Sequence, residues 1–305
     1  MSDNNGVDGY YIFASSIAAL VTRTITHPMD TIKIRLQAST LNHNNTNKTT
    51  LFENLKTIIF PIQVGNNDKL NQLRTFTSLY RGLPVALLFS VPALSVYLSC
   101  YETTKQTLYN KYQIKKDAAV NHLVSGCIAE ISAGLFFTPM EVMKNRLQTT
   151  NKAKQTSFLS LATHMLKYEG IRGFFRGYWM SLVVFIPHSA TYFITYEKMK
   201  QWMIRDESSR VSPTLYMLCS SVAGITSCFI STPLDIIKTR WQISAAEHGK
   251  DFREGPISIA KHLIRYEGRN VLIRSLYANI AWGLPTTAIS MTIFEVLKRN
   301  RYKFE

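Results

Sequence analysis

One eleven-residue pattern occurs three times along this chain, and it constrains the fold more than any bulk property does. It reads His27-Pro28-Met29-Asp30-Thr31-Ile32-Lys33-Ile34-Arg35-Leu36-Gln37, then Thr138-Pro139-Met140-Glu141-Val142-Met143-Lys144-Asn145-Arg146-Leu147-Gln148, then Thr232-Pro233-Leu234-Asp235-Ile236-Ile237-Lys238-Thr239-Arg240-Trp241-Gln242. In each copy an acid follows the proline by two residues, a lysine by five, an arginine by seven and a glutamine by nine. The prolines are 111 and 94 residues apart, so the repeating unit is about a hundred residues long. A single copy would read as a helix with an ordinary surface ion pair, worth about 0–1 kcal/mol. Three phased copies do not.

A second element alternates with the first. Tyr101-Glu102-Thr103-Thr104-Lys105, Tyr196-Glu197-Lys198-Met199-Lys200 and Phe294-Glu295-Val296-Leu297-Lys298 each close an apolar stretch, with Pro92, Pro187 and Pro285 nine residues before the aromatic. Those stretches, Gly82–Tyr101, Tyr178–Tyr196 and Ser275–Phe294, contain no charged residue. Between them lie Gly9–Met29 with only Arg23, Ala118–Met140 with only Glu130, and Leu215–Leu234 with none. Each of the six reaches about the 20 residues that a bilayer-spanning helix needs. The chain therefore reads as a polytopic membrane protein.

Bulk composition alone would mislead. The formal charge of +15 and a mean hydropathy near zero suit a soluble nucleic-acid binder. Here the basic residues lie mostly between the apolar stretches and dilute the average. The usual allowance of about 150 residues per domain would divide 305 residues in two. The repeat instead gives one domain, 1–305, with repeats at 9–107, 115–203 and 211–301. Cys100, Cys127, Cys219 and Cys228 form no CxxC pair and sit in apolar runs, so they are expected as small packing residues. The amino terminus is acidic and lacks arginine, so targeting information is expected within the chain.

With these motifs in place the chain resembles the mitochondrial carrier family from about Gly9 to Lys298. The resemblance implies an all-α membrane protein of six transmembrane helices in three pseudo-symmetric repeats, each with a short matrix helix. A helix-interior proline removes a backbone bond and bends the helix, which draws three ends together. The acid of one helix can then pair with the lysine of the next, as charges at membrane depth require. By resemblance, Asp30, Glu141 and Asp235 with Lys33, Lys144 and Lys238 form a matrix-side gate, braced by Gln37, Gln148 and Gln242. Glu102, Glu197 and Glu295 with Lys105, Lys200 and Lys298 form the opposing gate toward the intermembrane space.

The resemblance also implies a single copy acting alone in the mitochondrial inner membrane, with both termini toward the intermembrane space. It further implies cardiolipin contacts at glycine-bearing turns, a small-molecule substrate, and no resident cofactor or metal. Tyr80-Arg81-Gly82 and Phe175-Arg176-Gly177 precede the second and fourth spans, whereas the third copy, Ile273-Arg274-Ser275, lacks the glycine. Tyr168-Glu169-Gly170 and Tyr266-Glu267-Gly268 end two amphipathic matrix helices. The first repeat has a polar insertion, Gly65–Thr75, in their place, and His43–Thr50 reads as a flexible loop.

Cargo contacts are implied about three residues before each even-helix proline, at Phe89, Val184 and Trp282, with Phe185 and His188 nearby. No arginine occurs in that set, which disfavours polyanionic cargo and suits an amine-bearing or partly aromatic one. Arg23 and Glu130 lie at candidate cavity depth on odd helices and together suit a carboxylate and an amine, or else form a structural pair.

Leu182–Pro187 and the segments after it are similar to mitoferrin iron carriers, although the Met-Asn pair those carriers place at Val184-Phe185 is missing. Ala129–Ala133 and Trp282 are similar to S-adenosylmethionine carriers, which instead place Arg-Glu at Val184-Phe185. An iron or metal carrier and a non-transporting carrier-fold receptor are the competing readings. His27, His122 and His188 read as packed or hydrogen-bonded rather than as ligands. No nucleophile–base pair or phosphate-binding loop argues for an enzyme, and the dispersed basic residues argue against nucleic acid.

Overall fold

In the computed structural model, residues 9–38, 76–115, 118–149, 157–203, 213–248 and 255–301 are described. The polar insertion Gly65–Thr75 and the segment His43–Thr50 lie outside them. Six long helices carry the motif prolines in their interiors. They are α1 Gly9–Ala38 with Pro28, α2 Leu83–Tyr112 with Pro92, α3 Ala119–Thr149 with Pro139, α6 Tyr178–Met203 with Pro187, α7 Pro213–His248 with Pro233, and α9 Gly268–Arg301 with Pro285. Between α3 and α6 lie α4 Phe158–Tyr168 and the single turn α5 Ile171–Phe174. Between α7 and α9 lie α8 Pro256–His262 and a π-turn at Leu263–Glu267.

The long helices close into a ring. Neighbours pack in the order α1, α2, α3, α6, α7, α9 and back to α1, and the first long helix of each repeat (α1, α3 and α7, the odd helices of the six, with α2, α6 and α9 the even ones) also touches the other two across the axis. Those cross-axis contacts gather at the ends beyond the prolines, where α1, α3 and α7 carry the repeated motif. Small buried residues allow the close approaches, as is usual where lipid supplies no hydrophobic drive. Ala129, Ala133, Ala86 and Ala93 are fully buried. A Cβ on Gly134 of α3 would stand 2.7 Å from Cε2 of Tyr178 on α6.

The polarity of the ring is inverted relative to a water-soluble bundle. Leu88, Leu135, Ile194 and Phe229 are more than half exposed on its outside, whereas the motif acids and lysines point inward. An apolar belt of this kind marks a lipid-facing surface. Phe76–Tyr112, Ala119–Thr149 and Leu218–Ile243 are long and apolar enough to cross a membrane on length and composition alone. Their partners in the ring are of similar length but dilute the apolar residues with Thr, Ser, Tyr and His.

The glycine missing from the third repeat has a local explanation. Gly82 and Gly177 adopt φ of 86° and 88° and turn the chain into α2 and α6. Ser275 has no such turn to make, because α9 runs unbroken from Gly268. The turn seven residues upstream is kept in the second and third repeats, at Gly170 with φ of 66° and at Gly268 with φ of 61°, so the third repeat has lost only the second of the two turns.

Candidate functional site

The motif residues of α1, α3 and α7 form a closed cycle of three ion pairs. Lys33 of α1 reaches Asp235 of α7 at 3.5 Å, Lys238 of α7 reaches Glu141 of α3 at 2.7 Å, and Lys144 of α3 reaches Asp30 of α1 at 3.0 Å. Each lysine thus holds a different helix. The lysine side chains are 13–14% exposed, so pairing offsets a desolvation penalty that an isolated charge at this depth would bear in full.

One turn further on, the glutamines brace the same acids. Gln37 Nε2 donates to Asp235 at 3.2 Å, Gln148 Nε2 to Asp30 at 3.1 Å, and Gln242 Nε2 to Glu141 at 3.3 Å. The remaining amide oxygens are treated unequally. Asn145 donates to Gln242 Oε1 at 2.7 Å and Thr239 donates to Gln37 Oε1 at 3.1 Å. Both donors stand six residues after their prolines, and the corresponding residue of α1 is Ile34. Gln148 Oε1 is buried without a hydrogen-bond partner among the described residues.

A second cycle lies beneath the first. Arg35 Nε donates to the carbonyl of Gln148 at 3.0 Å, Arg146 Nε to that of Gln242 at 2.9 Å, and Arg240 Nε to that of Gln37 at 2.9 Å. The carbonyls of Gln37 and Gln148 belong to the last turns of α1 and α3, where helices leave acceptors unsatisfied and favour cations, whereas that of Gln242 lies six residues before the end of α7. Arg146 also makes a bidentate pair with Glu169, beyond α4, at 2.6 and 2.8 Å. The motif arginines were visible in the sequence, but nothing in their spacing revealed that they bind backbone on the adjacent helix.

Above the ion pairs lies a cavity of about 420 Å³, within the range of small-molecule sites. Arg23, Glu130 and Trp282 line it, together with Thr22, Met140 and Thr286. Among the described residues Arg23 donates only to the thioether of Met140, at 3.3 Å, a weak acceptor. Neither Arg23 nor Glu130 has an ion-pair partner among the described residues.

The other expected contacts stand elsewhere. Phe89 packs on the apolar cluster around Val85 and Met140. Phe185 presses its ring tip toward Gly126 of α3, where a Cβ would come within 2.8 Å. His188 hydrogen-bonds Ser227 of α7 at 3.3 Å. These three, and Val184, do not line the cavity. The positions three residues before the even-helix prolines are therefore not equivalent here, because α2 and α6 use theirs partly for packing while α9 turns Trp282 inward. His27 bonds the Arg81 carbonyl at 3.0 Å, and His122 bonds Tyr101.

At the opposite end of the ring, Glu102 and Glu197 make no ion pair among the described residues. The Lys105 ammonium lies 5.8 Å from the ring centroid of Tyr101. Glu295 and Lys298 lie within α9, but their side chains fall outside the described residues. The site is thus closed by charge at the end beyond the odd-helix prolines.

A ring of six membrane-length helices around a charge-floored cavity, repeated three times in sequence, defines a polytopic membrane carrier. The chain belongs to the mitochondrial carrier family: a family model described as "Mitochondrial carrier protein" matches residues 9–112, 115–207 and 209–304. An uncharacterised mitochondrial carrier of Schizosaccharomyces pombe is 28% identical over 96% of this chain and 98% of its own length. Mitoferrin-1 of Mus musculus is 26% identical over 94% of this chain and 82% of its own. A mitochondrial adenyl nucleotide antiporter of Homo sapiens is 28% identical over 95% of this chain and 57% of its own. Relatives with such different names at similar identity define a mitochondrial membrane transporter of small molecules without naming its cargo.

Proposed function

We propose that this chain carries a small metabolite or cofactor, amine-bearing or partly aromatic rather than polyanionic, across the mitochondrial inner membrane by alternating access. The observation that carries this reading is the cavity wall, where Arg23 and Glu130 both lack an ion-pair partner among the described residues and stand with the indole of Trp282. A solute bearing a carboxylate, an amine and a flat apolar part would satisfy all three.

In this reading Asp30, Lys33, Glu141, Lys144, Asp235 and Lys238, braced by Gln37, Gln148 and Gln242, are the matrix gate, here closed. Glu102, Lys105, Glu197, Lys200, Glu295 and Lys298 form the gate that closes in the opposite state. Cargo opens one and closes the other only through its differential affinity for the two states. One chain completes the cavity, so a monomer suffices. Both termini face the intermembrane space, and the glycine-bearing turns of the second repeat, at Gly170 and Gly177, hold a cardiolipin head group.

The test is a thermal-shift screen of the purified protein in detergent against S-adenosylmethionine, amino acids, thiamine and pyridoxal vitamers, nucleotides, citrate and ferrous iron. Selective stabilisation by an amine-bearing or aromatic compound, lost in Trp282→Ala, is expected. Similarity to mitoferrin-1 and to the nucleotide antiporter puts iron and nucleotides on the panel. Stabilisation by citrate or a nucleotide would overturn the charge argument.

A further inference from the structure

The three ion pairs of the ring are equivalent in sequence but not in what stands over them. Asn279 and Trp282 lie three residues apart on α9, hence on one helix face, and both reach the pair between α1 and α7. Gln37 Nε2 donates to Asn279 Oδ1 at 3.1 Å, and Asn279 Nδ2 donates to Thr232 at 3.1 Å and to Asp235 at 3.5 Å. The Lys33 ammonium sits 4.6 Å from the centroid of the Trp282 ring.

The same two positions on the other even helices hold Ala86 and Phe89 on α2, and Ser181 and Val184 on α6. Ala86 has no polar group, and Ser181 donates to the carbonyl of Gly177 on its own chain segment. No aromatic ring lies over Lys144 or Lys238 among the described residues. The Lys33–Asp235 pair is also the longest of the three, at 3.5 Å against 3.0 and 2.7 Å.

Trp282 faces two ways. One part of the indole lines the cavity and the ring face receives Lys33, while its buried Nε1–H has no acceptor among the described residues. An ammonium over an indole is held by the ring quadrupole, most strongly where water is excluded. Whatever presses on the indole from the cavity therefore acts on Lys33, and through it on Asp235.

All six ion-pair residues line the cavity, but we propose that Trp282 and Asn279 make the Lys33–Asp235 junction the one most sensitive to cavity occupancy, with Trp282 as a positioning residue for Lys33. This rests on the transporter reading above, but the geometry needs no knowledge of the cargo. Cargo that stacks on Trp282 withdraws the indole from Lys33 and loosens one pair of the three, so the ring opens asymmetrically.

The experiment is done without ligand on the full chain in detergent, so it does not depend on the cargo assignment. Melting temperatures are measured for Trp282→Leu alone, with Lys33→Gln, and with Lys144→Gln. Trp282→Leu is expected to lower the melting temperature by about 2–4 °C. That loss should shrink to under about 1 °C on the Lys33→Gln background and persist on the Lys144→Gln background. Trp282→Phe, which keeps a ring for the ammonium, should recover part of the loss.

A protein retaining Trp282 alone, with Trp179, Trp202 and Trp241 changed to Phe, supplies a spectroscopic check. Lys33→Gln should shift its emission maximum and Lys144→Gln should not. The proposal is overturned if Trp282→Leu costs the same on both lysine backgrounds, or if the emission responds equally to both lysine changes. If Trp282→Leu fails to fold, the Trp282→Phe cycle and the emission shift decide.

Discussion

Ile34 is a small departure with a large local consequence. At this position in α3 and α7 stand Asn145 and Thr239, each donating to the brace glutamine of the neighbouring helix. Ile34 cannot donate, so Gln148 Oε1 stays buried and unpartnered among the described residues, a situation that costs about 1–3 kcal/mol. Ile34→Thr is expected to raise the melting temperature in detergent by about 2–4 °C, and to slow transport in proteoliposomes by making the closed ring harder to open. An unchanged melting temperature would show that the amide is already satisfied.

Arg146 works at the same scale but with higher stakes. Its guanidinium is 1% exposed and joins the Gln242 carbonyl to the Glu169 carboxylate. Arg146→Gln leaves that carboxylate without its partner and is expected to destabilise by about 3–5 kcal/mol, read as a large fall in melting temperature. Arg146→Lys should recover only part of the loss, because an ammonium cannot make the bidentate contact.

Among elements, the clearest case is the start of each even helix. Gly82 holds φ at 86°, and a Cβ there would stand 3.2 Å from the carbonyl oxygen of Lys144. Gly82→Ser should therefore cost about 1–2 kcal/mol in backbone strain alone. The third repeat is expected to behave in reverse. Ser275 is helical and buried, so Ser275→Gly, which restores the repeat's own pattern, should cost about 0.5–1 kcal/mol. Chemical denaturation of the two variants checks both signs, and stabilisation by Ser275→Gly would contradict the continuous α9.

The α3–α6 contact offers a second test between elements. Tyr178 is pinned by its hydroxyl, which donates to the Ile131 carbonyl at 2.7 Å, and by edge contacts with Phe175 and Trp179. It cannot move aside for a side chain at position 134. Gly134→Val should cost about 1–3 kcal/mol, most of it recovered in combination with Tyr178→Leu. Additive losses in the pair would mean the clash lies elsewhere.

For the whole molecule, the ring of ion pairs and the cavity above it predict one-sided access. A cysteine placed at Thr286, on the cavity wall, should react with a hydrophilic thiol reagent added from the side that carries the termini. It should be protected from the side that carries α4, α5 and α8. Labelling of Thr286→Cys in oriented vesicles, on a background lacking the native cysteines, reads this directly. Reaction from the α4 side would contradict a ring closed at that end.

Much of this architecture was legible in the amino-acid sequence because a membrane leaves few options. Charge-free runs of bilayer length must be helices. Acids and lysines inside such helices must be paired or must line a cavity, and three phased copies must be placed equivalently. The Pro28, Pro139 and Pro233 motifs therefore announced the ion pairs, down to the cyclic order of partners. The threefold pattern treats Phe89, Val184 and Trp282 as equivalent, whereas Trp282 lines the cavity above the ion pairs and Phe89 packs on the cluster around Val85 and Met140.

What the sequence by itself determined about this protein is what repetition and periodicity encode: six helices, three equivalent motifs and the residue types that meet at the ring. What only the tertiary structure decided is where the three repeats stop being equivalent. Ile34 leaves Gln148 half-satisfied, Asn279 and Trp282 lean from α9 onto a single junction, and Arg23 and Glu130 face one cavity without an ion-pair partner among the described residues. Each of these depends on contacts between residues from about 50 to 250 positions apart. Such contacts arise from the rotation and offset of packed helices, and no local pattern records them.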